Sequence, residues 1–534
     1  MKRAGLPTAL LLSLLAYPTL PARGQGAPPD RPAGEIITGA VAGAAMATAF
    51  HREEKTPVPE EKLSQTRHTL SLPGQKIPYT ATAGTLLLKD DDGAPRASFF
   101  YVAYVADGVK DARVRPVTFA FNGGPGSASL WVHMGAFGPK TVARDPEGQA
   151  LPPPARLVDN ELSLLDVTDL VFIDPIGTGY SRPLPGEDVK RFTGVKNDVE
   201  SIAEFIRLWT SRNERWGSPK FLAGESYGTT RAAGLARYLD ERYGLLLNGV
   251  ILVSAILNWQ DQEFHVGNDM PYLLILPSYT AAAWYHRKLP PELSGDLRRT
   301  LDEAESFALH DYALALLDGD RLPEARRREI AARVARYTGL SVDYVLRANL
   351  RIELDHFTKE LLRDQGKTVG RLDTRLTGRD LDSVGATPEY DPASAAVGGQ
   401  YAGAVNDYLR RELGWKSDLV YEFSSRKVHP WSFDSFPNQY ANLAEPLRQE
   451  MTQNPDLQVF VASGHYDLAT PYFDAVYTLD HLGLPPELRG NIRMVQYEAG
   501  HMMYLGRAEH ERLKRDLSEF IRGAMGGGAA GRGK

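Results

Sequence analysis

The sequence contains no cysteine. Disulfides, thiolate nucleophiles and thiolate-held metals are thereby excluded, and the fold must be held by its core. An excess of one charge is missing too. The 61 Lys and Arg stand against 67 Asp and Glu, a formal net charge of -6, which supplies no basic footprint for nucleic acid. No His-Glu-x-x-His motif occurs and the 12 histidines are scattered, so no metal and no other cofactor is expected. No apolar run reaches the ~20 residues of a membrane span. The short apolar core Ala9–Ala16 follows the basic start Met1-Lys2-Arg3 and precedes a Pro-containing region of small residues. That is the layout of a secretory signal peptide over residues 1–25, with export to a periplasm or the outside and no membrane anchor after cleavage.

What is present is an ordered alternation of apolar runs and helical patterns. Residues 26–64 are rich in Pro, Gly and Ala and read as a flexible leader. From 65 to 258 come the runs Thr69–Leu72, Ile77–Ala81, Gly84–Leu88 and Ala97–Val105, which read as antiparallel strands. Apolar strands at Arg115–Phe121, Asp169–Asp174, Phe221–Ala223 and Gly249–Ser254 then alternate with helices. One of these helices carries Val199, Ile202, Phe205, Ile206 and Trp209 at three-to-four spacing. This predicts an α/β fold with a mostly parallel sheet covered on both faces. Residues 259–415 change character, with Pro290–Gln365 rich in Arg, Glu, Leu and Ala at helical spacing, and read as a mainly helical insertion capping the sheet. The core resumes over 416–524 with strands at Leu457–Ser463 and Asn491–Tyr497, and 525–534 reads as a disordered tail.

The run Gly224-Glu225-Ser226-Tyr227-Gly228 sits between the apolar Phe221-Leu222-Ala223 and a helical segment. Strand, sharp turn and helix around Gly-x-Ser-x-Gly form the nucleophile elbow of the α/β-hydrolases. Its glycines are expected for steric reasons, since side chains at 224 or 228 would collide with the neighbouring strand and helix. Asp467 and His501 each follow a late strand, giving the chain order nucleophile, acid, base. Ser226 needs a base to remove its proton, His501 titrates in the right range, and Asp467 would orient and stabilise the imidazole. His133, His465 and His481 are rival bases, but none lies at the last strand-to-loop junction. The glycine loop Asn122-Gly123-Gly124-Pro125-Gly126-Ser127 lacks a P-loop's Lys-Ser/Thr and reads as the loop supplying one oxyanion N–H.

Together with Gly464-His465-Tyr466-Asp467, Gly500-His501-Met502 and Asp174–Ser181, these segments resemble the serine carboxypeptidases, peptidase family S10, over about residues 85–522. Tyr466–Pro471 resembles the bacterial branch. The resemblance implies an α/β-hydrolase fold and the triad Ser226, Asp467 and His501. It assigns the oxyanion hole to the N–H groups of Gly124 and Tyr227, and gives Asn122 and Glu225 the substrate's C-terminal carboxylate. Peptides are the expected substrates. Burial beside the nucleophile would raise the Glu225 carboxyl so that it donates to that carboxylate at acidic pH. In two respects the chain departs from the family: Ala136 stands where a second carboxylate-recognising glutamate is usual, and Ser127 where the glycine loop usually carries cysteine. The primary expectation is a carboxypeptidase acting through an acyl-enzyme on Ser226. An esterase or acyltransferase with the same triad, or a silent binding protein on this scaffold, are the alternatives.

Overall fold

The structure is a computed structural model that describes residues 60–530. The stretch read as a signal peptide, and the leader as far as Pro59, lie outside the described residues. Strands β1 (Leu63–Leu72), β2 (Gln75–Lys89) and β3 (Pro95–Ala106) form an antiparallel meander. β1 opens two residues inside the segment assigned to the leader. Ile77–Ala81 and Gly84–Leu88 belong to one continuous strand, which Gly84 does not break. Its missing side chain leaves room for Leu63 and the Tyr101 hydroxyl, which close over that spot.

The same sheet continues through β4 (Val117–Phe121), β5 (Asp169–Asp174), β6 (Lys220–Glu225), β7 (Gly249–Val253), β8 (Gln458–Gly464) and β9 (Ile492–Tyr497). Their order in the sheet is β1-β2-β3-β5-β4-β6-β7-β8-β9, with the two-residue strand Arg182–Pro183 pairing β3 off this path. Every pairing from β5 to β9 is parallel. Such strands are covered on both faces, so they read as unbroken apolar runs. Side chains still alternate between faces. Phe119, Val171, Leu222, Leu252 and Val461 enter one core, and Ala120, Phe172, Ala223, Ile251 and Phe460 enter the other.

Helix α1 (Val195–Arg212) buries Ile202, Phe205, Ile206 and Trp209 against the first of these cores, beside α2 (Tyr227–Tyr243). The insertion begins after β7. Its helix α3 (Met270–Tyr285) contributes Tyr279 to a separate cluster with Phe307, Tyr312, Ile330, Val334 and Phe357. Leu468, immediately after Asp467, belongs to the same cluster. Leu274 and Leu301 pack with Tyr466, Tyr472 and Phe473, so the helical layer rests on the loop that leaves β8.

The structure ends the insertion's own core earlier than residue 415. Helix α4 (Pro392–Arg411) turns Val397, Tyr401, Val405, Tyr408 and Leu409 onto the sheet's second core, because their three-to-four spacing makes one apolar stripe. Helix α5 (Ala444–Gln453) returns to the first core through Leu447 and Met451. Helix α6 (Arg507–Ala530) buries Leu513, Leu517, Phe520 and Ile521 on the opposite face. It also corrects the expected tail, since its helical backbone runs to Ala530, past Met525. Extending an existing helix needs only one further hydrogen bond per residue.

Candidate active site

β6 delivers Ser226 to the end of the parallel sheet and α2 begins at the next residue. Ser226 has φ 60° and ψ -132°, a backbone conformation that side-chain-bearing residues rarely adopt. Its N–H donates to Val253 O (3.0 Å), and its carbonyl accepts from Thr229 N (2.8 Å) and Thr229 Oγ1 (2.7 Å). The turn is this tight only because its neighbours are glycine. A Cβ on Gly224 would overlap the Gly228 carbonyl, and one on Gly228 would lie 2.9 Å from Phe121 O. A Cβ on Gly123 would overlap Tyr227 N, so the glycine loop after β4 presses against the start of α2. Gly124 there adopts φ 104°. As the first residue of α2, Tyr227 has no intrahelical acceptor for its N–H.

Asp467 and His501 meet directly, with His501 Nδ1 2.7 Å from Asp467 Oδ2. Both are buried. Asp467 Oδ1 also accepts from Ala469 N (2.8 Å) and Thr470 N (3.1 Å), and Thr470 Oγ1 donates to Oδ2 (2.7 Å). These bonds hold the carboxylate in one orientation. Burial by itself pushes the imidazole down, but the charge and hydrogen bond of Asp467, helped by Glu225, outweigh it and leave His501 raised. Ser254, next to β7, donates its Oγ to His501 O (2.7 Å), while His501 N donates to Leu372 O (2.7 Å). Val253 pairs with Glu225, so Ser254 links His501 to the elbow. Among the described residues no direct hydrogen bond joins Ser226 Oγ to His501. Catalytic contacts of this kind tighten when substrate binds.

Asn122, at the end of β4, donates from Nδ2 to Glu225 Oε1 (2.9 Å) and accepts at Oδ1 from Trp131 N (2.9 Å) and Val132 N (3.1 Å). Tyr504 donates to the other Glu225 oxygen (2.6 Å). Glu225 is 3% exposed, and burial pushes its carboxyl up to about 7 against the pull of His501 and of these two donors. A carboxyl in that range is neutral at acidic pH and can donate. Ala136 is buried in the turn Val132–Phe137 and offers no polar side-chain atom.

Asp174–Ser181 braces the glycine loop from behind, since Asp174 Oδ1 accepts from Ser129 N (2.9 Å). The rival histidines lie elsewhere. His133 is buried against Tyr104 (2.6 Å to its hydroxyl) and held down to about 3 by burial, and His465 bonds Gln496 (3.1 Å). Sequence reasoning missed Tyr504, Thr470 and Ser254. Each is a polar group two to three residues from a motif, or at a strand end, and such positions carry a weak signal. It also missed the insertion's segment 371–374, which crosses the acid and base through Leu468 N to Arg371 O (3.0 Å), Thr374 N to Tyr466 O (3.0 Å) and the His501 contact above. Among the described residues no group of His, Asp and Glu converges as metal ligands would, and no helix is long and apolar enough to cross a membrane.

A serine carboxypeptidase family model matches residues 73–273, the span holding β2, β3, the glycine loop and the elbow. Over that span the chain is similar to the serine carboxypeptidases. It is similar to serine carboxypeptidase-like 29 of Arabidopsis thaliana, 27% identical over 159 residues that cover 29% of this chain and 31% of the relative. Serine carboxypeptidase-like 36 of the same plant is 26% identical over 223 residues, covering 40% of this chain and 42% of the relative. The chain thus spans between 31% and 42% of the length of these relatives. Among solved structures it resembles a prohormone-processing carboxypeptidase from Saccharomyces cerevisiae, at 15% identity and a TM-score of 0.53 over 83% of this chain and 91% of that one. At that identity the likeness carries the fold, an α/β-hydrolase fold, which the strand order also gives.

Proposed function

We propose that this protein is an exported serine carboxypeptidase that removes residues from the free C-terminus of peptides. Ser226 Oγ attacks the scissile carbonyl as His501 takes its proton, and Asp467 stabilises the imidazolium. The tetrahedral oxyanion lies between the N–H groups of Gly124 and Tyr227, where the start of α2 adds its positive dipole end. His501 then protonates the leaving amino group, and water hydrolyses the acyl-enzyme on Ser226 by the reverse proton path. Asn122 and Glu225 receive the substrate carboxylate. Export, to a periplasm or the outside, is supported by the pattern of residues 1–25.

The observation that carries this reading is Glu225: buried one residue before the nucleophile, bonded by Asn122 and Tyr504, and raised to about 7. A simple esterase has no need of a neutral carboxyl there. The second reading, an esterase or acyltransferase, is favoured by Ala136, which leaves the carboxylate subsite one acid short of the family pattern. A blocked tetrapeptide offered as free acid and as C-terminal amide separates the two by mass spectrometry. Stepwise loss of single residues from the acid alone supports the carboxypeptidase. Equal cleavage of the amide, internal cuts, or turnover of small esters alone would overturn it.

A further inference from the structure

Beside the carboxylate subsite stands a cation with no anion. Arg144 lies in the turn bridged by Arg144 and Ala150, and donates from Nη1 to Gly148 O (2.9 Å). That turn packs on the segment just after Tyr504: a Cβ on Gly148 would lie 2.7 Å from Leu505 O, and Arg507 N donates to Pro146 O (3.0 Å). The guanidinium sits 5.2 Å from the centre of the Tyr401 ring. Its Nε and Nη2 are buried and close no hydrogen bond of good geometry, the Tyr401 hydroxyl being the polar side-chain neighbour of the guanidinium. Among the described residues no carboxylate lies within ion-pair distance of it.

The surroundings connect this cation to the site. Gly135, one residue before Ala136, is where Tyr401 and Tyr504 converge, since a Cβ there would lie 2.7 Å from the Tyr401 hydroxyl and overlap the Tyr504 ring. Tyr504 donates to Glu225, and the charge of Arg144 reaches both phenols. Tyr401 packs in turn on Trp131, whose N–H is held by Asn122. Arg144 is therefore one tyrosine removed from Glu225, on the side where the family's second acid is missing.

A guanidinium with two buried donors and only a phenol beside it is costly unless an anion completes it. Its planar fork matches a carboxylate in two-point fashion. We propose that Arg144 binds the C-terminal carboxylate of the substrate and so compensates for Ala136. The inference rests on the carboxypeptidase reading.

The test compares kcat/KM for one blocked peptide as free acid and as amide, in the wild type, Arg144→Gln and Arg144→Lys. Taking the ratio cancels any shared loss of folded enzyme. The acid-over-amide ratio is expected to fall about 10- to 100-fold in Arg144→Gln, the usual range for losing a charged hydrogen-bond partner, with the change in KM and not kcat. Arg144→Lys, which keeps the charge, retains more of the ratio than Arg144→Gln. If Arg144→Gln keeps the wild-type ratio, or the two variants lose it equally, Arg144 does not bind the carboxylate. If the wild type itself shows no preference for the acid, the carboxypeptidase reading falls and this inference with it.

Discussion

Replacing Glu225 by glutamine removes the proton on which the carboxylate subsite depends and leaves its shape in place. The Glu225 carboxyl is raised from 4.5 to about 7, chiefly by burial. It is therefore about 99% neutral at pH 5 and only about 10% neutral at pH 8. Free-acid substrates should lose kcat/KM about tenfold per pH unit above 7, through KM. Glu225→Gln donates at any pH, so this alkaline limb disappears. The acidic limb, set by His501, stays. The same shift has a consequence for stability. A carboxyl raised on folding contributes stability that is present below its unfolded value and is lost as pH rises through about 7. Its full size corresponds to about 3 kcal/mol. Urea unfolding of the two proteins should therefore give curves that differ little near pH 4, and favour Glu225→Gln by up to about 3 kcal/mol at pH 8. A variant that keeps the alkaline limb and gains no stability between these pH values would refute the reasoning.

Three further substitutions probe the site's supports. Tyr504→Phe deletes a hydrogen bond that holds Glu225 down, so the alkaline limb for free-acid peptides should move to higher pH; an unmoved limb counts against the assignment. Gly224→Ala drives a methyl into the Gly228 backbone carbonyl, and should yield no protein with native near-ultraviolet dichroism, whereas a variant melting like the wild type would contradict the close approach. Arg231→Leu leaves Asp198 buried without the guanidinium 2.7 Å away and frees the Asn122 carbonyl that Arg231 also binds (2.6 Å). It should cost about 3–5 kcal/mol in denaturant unfolding, and a cost below about 1 kcal/mol would mean that the pair is not desolvated as described.

The parts of the site legible in the sequence are those where chemistry and backbone sterics leave one residue type. Gly224 and Gly228 are required by contacts between backbones, and Ser226, Asp467 and His501 each follow a strand whose apolar run stands out. The sheet was legible for the same reason, because parallel strands buried on both faces make short unbroken runs between helices. Tyr504 was not, since a tyrosine near a terminal helix is more often core, and only the fold brings its hydroxyl to Glu225. The pairing of Arg371 and Leu372 with the loops of Asp467 and His501 spans about a hundred residues and leaves no local pattern. The boundary of the insertion was harder to read: α4 falls inside the stretch read as a helical cap, yet its tyrosine stripe faces the sheet.

The central claim is that Ser226 is acylated by a peptide that has lost its last residue. Mass spectrometry of enzyme quenched in acid during turnover of a free-acid peptide addresses it most directly. The account predicts a covalent adduct on the proteolytic fragment containing Ser226, equal to the substrate acyl group minus one C-terminal residue, and absent in Ser226→Ala. An adduct on another residue, or one lacking a longer piece of the peptide, would contradict it.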